Sequence, residues 1–325
     1  MAIPETYRTY QYENYGAIET ELKLRSDLPQ PSLAAQQVRI KVRSAAVNPV
    51  DYKLVEFMGQ MMFGKAPSME YPFGIGFDAA GEVVEVGSDV KRVQLGDAVY
   101  ASTLGALSEY IVVNEEFVAP KPKNLDFDEA AAVPSVALTA YSGMTNFSKL
   151  QKGETVLILG GSTAVGMFAI QFAKDIGARV VATTSTRNAE LVTSLGADQV
   201  VDYTKEKWVS VLAPHSVDVV YDCGVEPMAW NDGAQLVLKQ NTGRFVTLVP
   251  MMEPAKESEF GAQLIGFVKS EDLSAKTLGV ITEYIESGKA KPVIDSVYPF
   301  EKVLDAYAKL KTGHAQGKIV IQVQQ

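Results

Sequence analysis

The stretch from Gly153 to Ser185, GETVLILGGSTAVGMFAIQFAKDIGARVVATTS, reads as a strand, a glycine-bearing turn, a helix and a second strand. Thr155 to Leu159 is a short apolar run, suited to a strand buried on both faces of a parallel sheet. Gly160, Gly161 and Ser162 break it. Val165, Phe168, Ala169, Phe172, Ala173 and Ile176 then fall at offsets 0, 3, 4, 7, 8 and 11, which is one face of a helix, and Gly177 supplies its stop. A helix starting just after such a turn offers free backbone N–H groups and the positive end of its dipole, so it can hold a pyrophosphate without a charged side chain. The plainer alternative is a βαβ crossover that binds nothing. The turn departs from G-x-G-x-x-G at Thr163 and Ala164, while Gly166 remains where helix and strand must pack closely. A membrane span over 155–173 is opposed by the Gly-Gly-Ser-Thr interruption, by Gln171 and by the lack of flanking basic loops.

A chain of 325 residues exceeds the usual size of one hydrophobic core, so two domains are expected. The net charge of -9, with no basic cluster to offset it, argues against nucleic acid and membrane as partners. Met1 to Glu5 open no charged and apolar leader, which makes the cytosol the expected compartment. The single cysteine, Cys223, rules out an internal disulfide and a Cys-rich zinc site. His215, in a Pro-containing turn, and His314, next to a glycine, are expected at the surface. This inventory supplies neither a metal centre nor a Ser-His-Asp or Cys-His machine.

Residues 1 to about 125 carry short Val-containing runs (Val38–Val42, Gly81–Val86, Asp97–Ala101, Leu107–Val113) separated by turn signals, which suggests a small β-barrel or partly open sheet. Asn48-Pro49 marks a turn followed by a short helix. FDEAAAVPSVALTAYSGM reads as helical with a break at Pro134. After Ser185, helices and strands alternate: helices near 188–195, 206–212 and 228–238, strands near 199–203, 218–222, 244–248 and 263–268. Repeated βα units of this length specify a doubly wound parallel sheet. A helix over 273–287, a strand over 295–298, a helix over 301–311 and a strand over 318–323 then return the chain to the first domain.

Several stretches together resemble the medium-chain dehydrogenase/reductase superfamily, in its zinc-free branch of quinone oxidoreductases and enoyl reductases. They are AAVNPVDYK (45–53), GFDAAGEVVEVGSDV (76–90), LGDAVYA (95–101), VALTAY (136–141), GGSTAVG (160–166), LGADQVVDY (195–203), DVVYDCG (218–224) and GKIVIQ (317–322), and they span nearly the whole chain in order. The resemblance implies an α/β fold: a GroES-like β-rich catalytic domain from residues 1–125 and 267–325, and a Rossmann NADPH-binding domain from 126–266. The nicotinamide would lie in the cleft. Zinc-dependent relatives carry an early Cys and a Gly-His-Glu run; here Ala45 to Val50 holds no Cys and Gly76-Phe77-Asp78 stands in place of that run. Asp78 is read as a turn or strand-start carboxylate.

Hydride transfer needs a fixed nicotinamide, an acceptor beside it and a donor for the charge developing on the acceptor oxygen. By resemblance Tyr52 and Lys53 are the catalytic candidates, Tyr52 as a hydrogen-bond donor and Lys53 at the position of a proton donor in some enoyl reductases, and Asn48 approaches the cofactor. Their plain alternatives are a half-buried aromatic, a solvated lysine and a turn-forming residue. Thr139 resembles a residue beside the nicotinamide, or else bonds its own helix backbone. Gly161, Ser162, Thr163, Ala164 and Val165 form the pyrophosphate turn. Cys223, Leu248 and Val249 end strands at the cofactor edge, and Phe267 and Val268 line the pocket or serve as core. No carboxylate stands in Ala182 to Arg187, where an NAD site holds the ribose hydroxyls; Thr184, Ser185 and Arg187 there, with Tyr203 of VVDY, point to a 2'-phosphate and so to NADPH. Asn188 replaces a lysine of some relatives.

The expected function is zinc-independent, NADPH-dependent reduction of a small-molecule quinone or α,β-unsaturated carbonyl. A partner-dependent enoyl reductase of polyketide type and a non-catalytic, crystallin-like NADPH-binding protein are the alternatives. The resemblance also implies a homodimer, with Gln263 to Val268 as the pairing edge.

Overall fold

In the computed structural model, residues 3–248, 254–267 and 274–324 are described, and all statements of absence below concern these residues. The chain begins with β1 (Thr6–Tyr12) and β2 (Lys23–Pro29), which pair antiparallel. Then come β3 (Gln37–Val47), β4 (Phe73–Gly74), β5 (Asp78–Val86), β6 (Ala98–Ser102), β7 (Tyr110–Asn114) and β8 (Val118–Pro120). Between β3 and β4 the Pro49–Lys53 helix runs on through a π-helical turn, Leu54–Met58, into a further helix, Gly59–Phe63.

Asp126 caps the Phe127–Ala131 helix by accepting from Glu129 N, and Pro134 opens a second helix, Pro134–Ser142. Proline fits a first helical position because its missing N–H would be unpaired there anyway. The parallel strands follow: β9 (Thr155–Leu159), β10 (Arg179–Thr184), β11 (Gln199–Asp202), β12 (Val219–Asp222), β13 (Arg244–Thr247) and β14 (Gln263–Phe267). Their order in the sheet is β11-β10-β9-β12-β13-β14. The chain therefore builds outward one way from β9 and then the other way from β12, which puts the reversal of strand order at the carboxyl end of β9, where such sheets bind ligands. Phe168, Ala169 and Phe172 of the Ala164–Ile176 helix are buried, as its periodicity requires.

The chain returns through the Ala275–Glu286 helix, β15 (Ile294–Pro299), the Val303–Lys311 helix and β16 (Lys318–Gln322). β16 pairs antiparallel with β3, so the last strand completes the sheet begun by the first third of the chain, in the order β15-β16-β3-β5-β6-β8 with β7 also on β3. One apolar cluster joins Val38, Ile40, Val42, Val83 and Val99 to Phe300, Tyr307, Ile319 and Ile321.

Two units result, one of Met1–Ser135, Leu273–Glu286 and Pro292–Gln325, the other of Val136–Asp272 and Ser287–Lys291. The first division falls at Ser135, later than the 125 expected from sequence. Asp128 accepts from Ser44 and Gln322, and Ser135 N donates to Asp78 Oδ1 at 2.6 Å, so these residues pack with the first sheet. The segment 228–238 is not one regular helix: Trp230–Ala234 is a π-helical turn broken at Gly233, with Gln235–Val237 after it. His215 is half-buried, its ring 4.8 Å from that of Phe260 and its Nδ1 2.8 Å from Leu238 O, which corrects its assignment to the surface.

A Cβ placed on Gly166 would lie 2.2 Å from the Gly160 carbonyl oxygen, a backbone atom that cannot swing away. Gly166→Ala is therefore expected to lower unfolding free energy by about 1–3 kcal/mol through forced backbone displacement. Urea denaturation checks this.

Candidate functional site

At the end of β9 the chain turns on Gly160, whose φ of 81° lies in the left-handed region that suits glycine. Gly160 N donates to Thr183 Oγ1 at 2.9 Å and Gly161 N to Thr183 O at 2.8 Å, pinning the turn to β10. A side chain on Gly161 would meet Ala182 Cβ at 2.8 Å. Thr163, the departure from the glycine pattern, is the N-cap of the Ala164–Ile176 helix: its Oγ1 accepts from Gly166 N at 3.0 Å and donates to Gly160 O at 2.8 Å. Its hydroxyl thus closes the turn. Ser162, Thr163, Ala164 and Val165 are half-buried, and the Ala164 and Val165 amides have no acceptor among the described residues. Two free N–H groups at the start of a 13-residue helix, with glycines that keep side chains out of the cradle, fit a pyrophosphate.

At the end of β10, Thr184 is buried with its Oγ1 unpartnered, Ser185 is half-buried, Arg187 is exposed and Asn188 is buried. Tyr203 is 60% exposed, held by its N–H to Thr184 O at 3.1 Å. A carboxylate does reach this place, from the next strand. Asp202 accepts from Thr186 Oγ1, from Thr204 N at 3.0 Å and from Thr204 Oγ1 at 2.6 Å, and pairs with Lys205 at 3.1 Å. The Thr186 and Thr204 hydroxyls hold its carboxyl well below the usual carboxylate range. The Thr186 hydroxyl is therefore spent on Asp202, which the reading of 182–187 alone could not show.

Cys223 is buried, its thiol pushed up by burial, which fits an inert lining residue. Leu248 is half-buried at the end of β13. The Thr139 carbonyl accepts from Tyr221 OH at 3.2 Å; its own hydroxyl makes no bond to the helix among the described residues. Val249 and Val268 lie outside the described residues, and Phe267 is described as backbone only, ending β14.

In the other unit the Pro49–Lys53 helix is anchored by a buried polar network. Lys318, at the start of β16, has a side chain only 4% exposed. Its ammonium donates to Val47 O at 3.1 Å, Asn48 Oδ1 at 2.6 Å and Asp78 Oδ2 at 2.8 Å, so all three protons are placed. Asn48 Nδ2 donates to Asp78 Oδ2 at 2.8 Å. Asn48, read as a cofactor contact, thus serves the interior with both ends of its amide. Asp51 Oδ2 accepts from Asn48 N at 2.7 Å and Tyr307 OH at 3.0 Å, while its buried Oδ1 has no partner. Burial pushes its carboxyl up to about 7, against the pull of these hydrogen bonds and of Lys318.

Tyr52 is half-buried against the apolar cluster, with Lys311 Nζ 5.5 Å from its ring centroid. Burial, helped by Glu56, pushes its phenol up, so it stays protonated and able to donate at neutral pH. Lys53 is half-buried and its ammonium has no partner among the described residues. Lys318, Asp51 and Tyr307 escaped the sequence reading. Asp51 sits inside NPVDYK, but Lys318 lies 240 residues from Asp78 and no local pattern joins them.

No three His, Cys, Asp or Glu side chains gather as a metal site among the described residues, and no described helix is long and apolar enough to cross a membrane.

A strand order reversing at a glycine turn, joined to a β-rich unit that closes on its own C-terminal strand, defines a class of two-unit dehydrogenases. Residues 34–123 match the alcohol dehydrogenase GroES-like domain family and residues 195–321 the zinc-binding dehydrogenase family. The chain is 39% identical over 335 residues to the 2-methylene-furan-3-one reductase of Solanum lycopersicum, covering 99% of this chain and 80% of that one. It is 38% identical to the chloroplastic NADPH-dependent alkenal/one oxidoreductase of Arabidopsis thaliana, covering 98% of this chain and 80% of the relative. The quinone oxidoreductase structure from Coxiella burnetii superposes with a TM-score of 0.80 at 29% identity, covering 98% of this chain and all of that one. The chain belongs to the medium-chain dehydrogenase/reductase superfamily, and its resemblance is to the quinone and enone reductases rather than to the members that the zinc-binding name describes.

Removing Lys318 leaves the Asp78 carboxylate buried without its cation, so Lys318→Ala is expected to cost about 3–5 kcal/mol of stability. Asp51 gives a pH signature. A carboxyl whose folded value is raised binds its proton more tightly when folded, so wild type loses stability relative to Asp51→Asn as pH rises from its ordinary unfolded value toward about 7, and the difference levels off above. Chemical denaturation of both proteins across that range reads it.

Proposed function

We propose that this protein reduces quinones or α,β-unsaturated carbonyl compounds at the expense of NADPH. The observation that carries this is the Gly160–Val165 turn at the strand-order reversal, with its free helix-start amides, in a chain 38% identical to an NADPH-dependent alkenal/one oxidoreductase. Bound NADPH would supply a hydride to an electron-poor carbon of the acceptor. The chain's part is to hold and to donate. Gly161, Ser162, Thr163, Ala164 and Val165 hold the pyrophosphate, Thr184, Ser185, Arg187 and Tyr203 take the 2'-phosphate, and Thr139, Cys223 and Leu248 border the cofactor. Tyr52 and Lys53 meet the oxygen on which charge develops, Tyr52 as a protonated phenol and Lys53 as an ammonium without an internal partner.

An acceptor already activated by conjugation needs less help than an alcohol, which would require a metal or a base to form its alkoxide. Asn48, Asp51 and Lys318 position the helix that bears Tyr52 and Lys53 rather than touching the reactants. β14 is an edge strand among the described residues, with Leu264 exposed, and a second copy pairing there would remove that edge.

The test is NADPH and NADH oxidation against a panel of ortho-quinones, 2-alkenals and enones. Wild type is expected to favour NADPH, and Arg187→Ala to lower kcat/KM for NADPH while sparing NADH. Tyr52→Phe or Lys53→Ala is expected to slow enone reduction more than quinone reduction, with losses of up to about 2.7–4 kcal/mol in transition-state stabilisation where the donor is essential. Equal use of both cofactors, or unchanged rates in all three variants, contradicts the assignment.

A further inference from the structure

Asp222 ends β12 with its side chain fully buried and no cation beside it. Its Oδ1 accepts three consecutive backbone amides, Gly224 at 3.1 Å, Val225 at 3.0 Å and Glu226 at 3.1 Å. Its Oδ2 accepts from Thr247 Oγ1 at 3.1 Å, at the end of β13, and its carbonyl accepts from Leu248 N at 3.1 Å. One residue therefore fastens the chain leaving β12 to the chain leaving β13.

The loop it shapes lies on the glycine turn. A Cβ on Gly160 would come within 2.9 Å of both methyl carbons of Val225, so Val225 is packed directly against that glycine. Cys223 N donates to Leu159 O at 3.1 Å, the last residue before the turn. Trp208 Nε1 holds the far end of the loop by donating to Glu226 Oε2 at 2.9 Å. A carboxylate buried without a counter-charge is costly, and here three amides and a hydroxyl offset that cost by fixing loop geometry.

We propose that Asp222 is a positioning residue for the dinucleotide: by holding Gly224–Glu226 in one conformation it seats Val225 on Gly160 and keeps the turn open to the pyrophosphate. This rests on the NADPH reading above. It acts through the loop and touches no reacting atom, so its loss weakens cofactor binding and leaves hydride transfer at saturation largely intact.

The experiment titrates NADPH into wild type, Asp222→Ala, Asp222→Asn and Thr247→Val, following cofactor fluorescence, with steady-state kcat and KM and a thermal melt for each. Asp222→Ala is expected to raise Kd and KM for NADPH by about tenfold or more, with kcat changed less than about threefold. Asp222→Asn should restore binding to within about threefold, because its Oδ1 still accepts the amides and its Nδ2 can donate to the Thr247 hydroxyl. Thr247→Val, which removes one bond of the set, should give a smaller rise, and it decides the matter if Asp222→Ala does not fold. A folded Asp222→Ala with wild-type Kd and only a lowered melting temperature overturns the proposal, as does an Asp222→Asn no better than alanine, or an unchanged Kd in Thr247→Val if alanine is unfolded. Wild type that binds no NADPH defeats the cofactor reading itself, and this inference with it.

Discussion

A lysine ammonium buried beside an aspartate organises the β-rich unit. Lys318 and Asp78 are almost inaccessible to water, and an isolated charge in either place would be strongly unfavourable. The pair is tolerable because no proton of the lysine is wasted: Val47, Asn48 and Asp78 take all three. Two acceptors, Val47 and Asn48, are neighbours where β3 passes into the Pro49–Lys53 helix, the third, Asp78, starts β5, and the donor lies on the last strand. Antiparallel pairing of β16 with β3 supplies the backbone bonds, and the charge network fixes where the Pro49–Lys53 helix leaves that sheet. The Asp78 carboxylate is fully buried at the start of β5. Here the carboxylate is consumed by an internal cation and by the Asn48 and Ser135 donors.

The nucleotide-binding unit solves a different problem. A parallel sheet leaves its carboxyl edge lined by loops, and binding an anion there demands backbone amides brought close together without side chains between them. Gly160, Gly161 and Gly166 remove the side chains, and Thr163 closes the first turn of the helix with its own hydroxyl. Thr163 fills a place where glycine is common and gives the turn a hydrogen bond that glycine cannot make. Asp222 and Thr247 fix the neighbouring loops by the same means, a side-chain oxygen meeting backbone or hydroxyl donors.

Much of this was legible in the sequence because periodicity reports burial. Thr155–Leu159, the 165–176 face, the Pro134 break and the strands after 185 all correspond to elements in the structure, within a few residues at their ends. β1 and β2 are not legible in the sequence because their polar alternation, TYRTYQY and KLRSDLP, carries little of the Val-rich signature of the other strands. The π-helical turns at Leu54–Met58 and Trp230–Ala234 left no trace, since one extra residue in a helical turn barely changes an apolar pattern. The polar contacts were the least legible. Asp202 reaching Thr186, Lys318 reaching Asp78 and Asp222 reaching Thr247 are products of strand order and register, which exist only once the sheets are formed.

NADPH-dependent reduction on this chain requires that hydride pass from NADPH to a conjugated acceptor. The direct measurement uses NADPH with both hydrogens at nicotinamide C4 replaced by deuterium and an enone as acceptor, and mass spectrometry with NMR of the product. One deuterium is expected at the carbon β to the carbonyl, with a solvent-derived hydrogen at the α carbon. A saturated product with no deuterium, or labelled NADPH left unoxidised in the presence of enone and quinone alike, would contradict it.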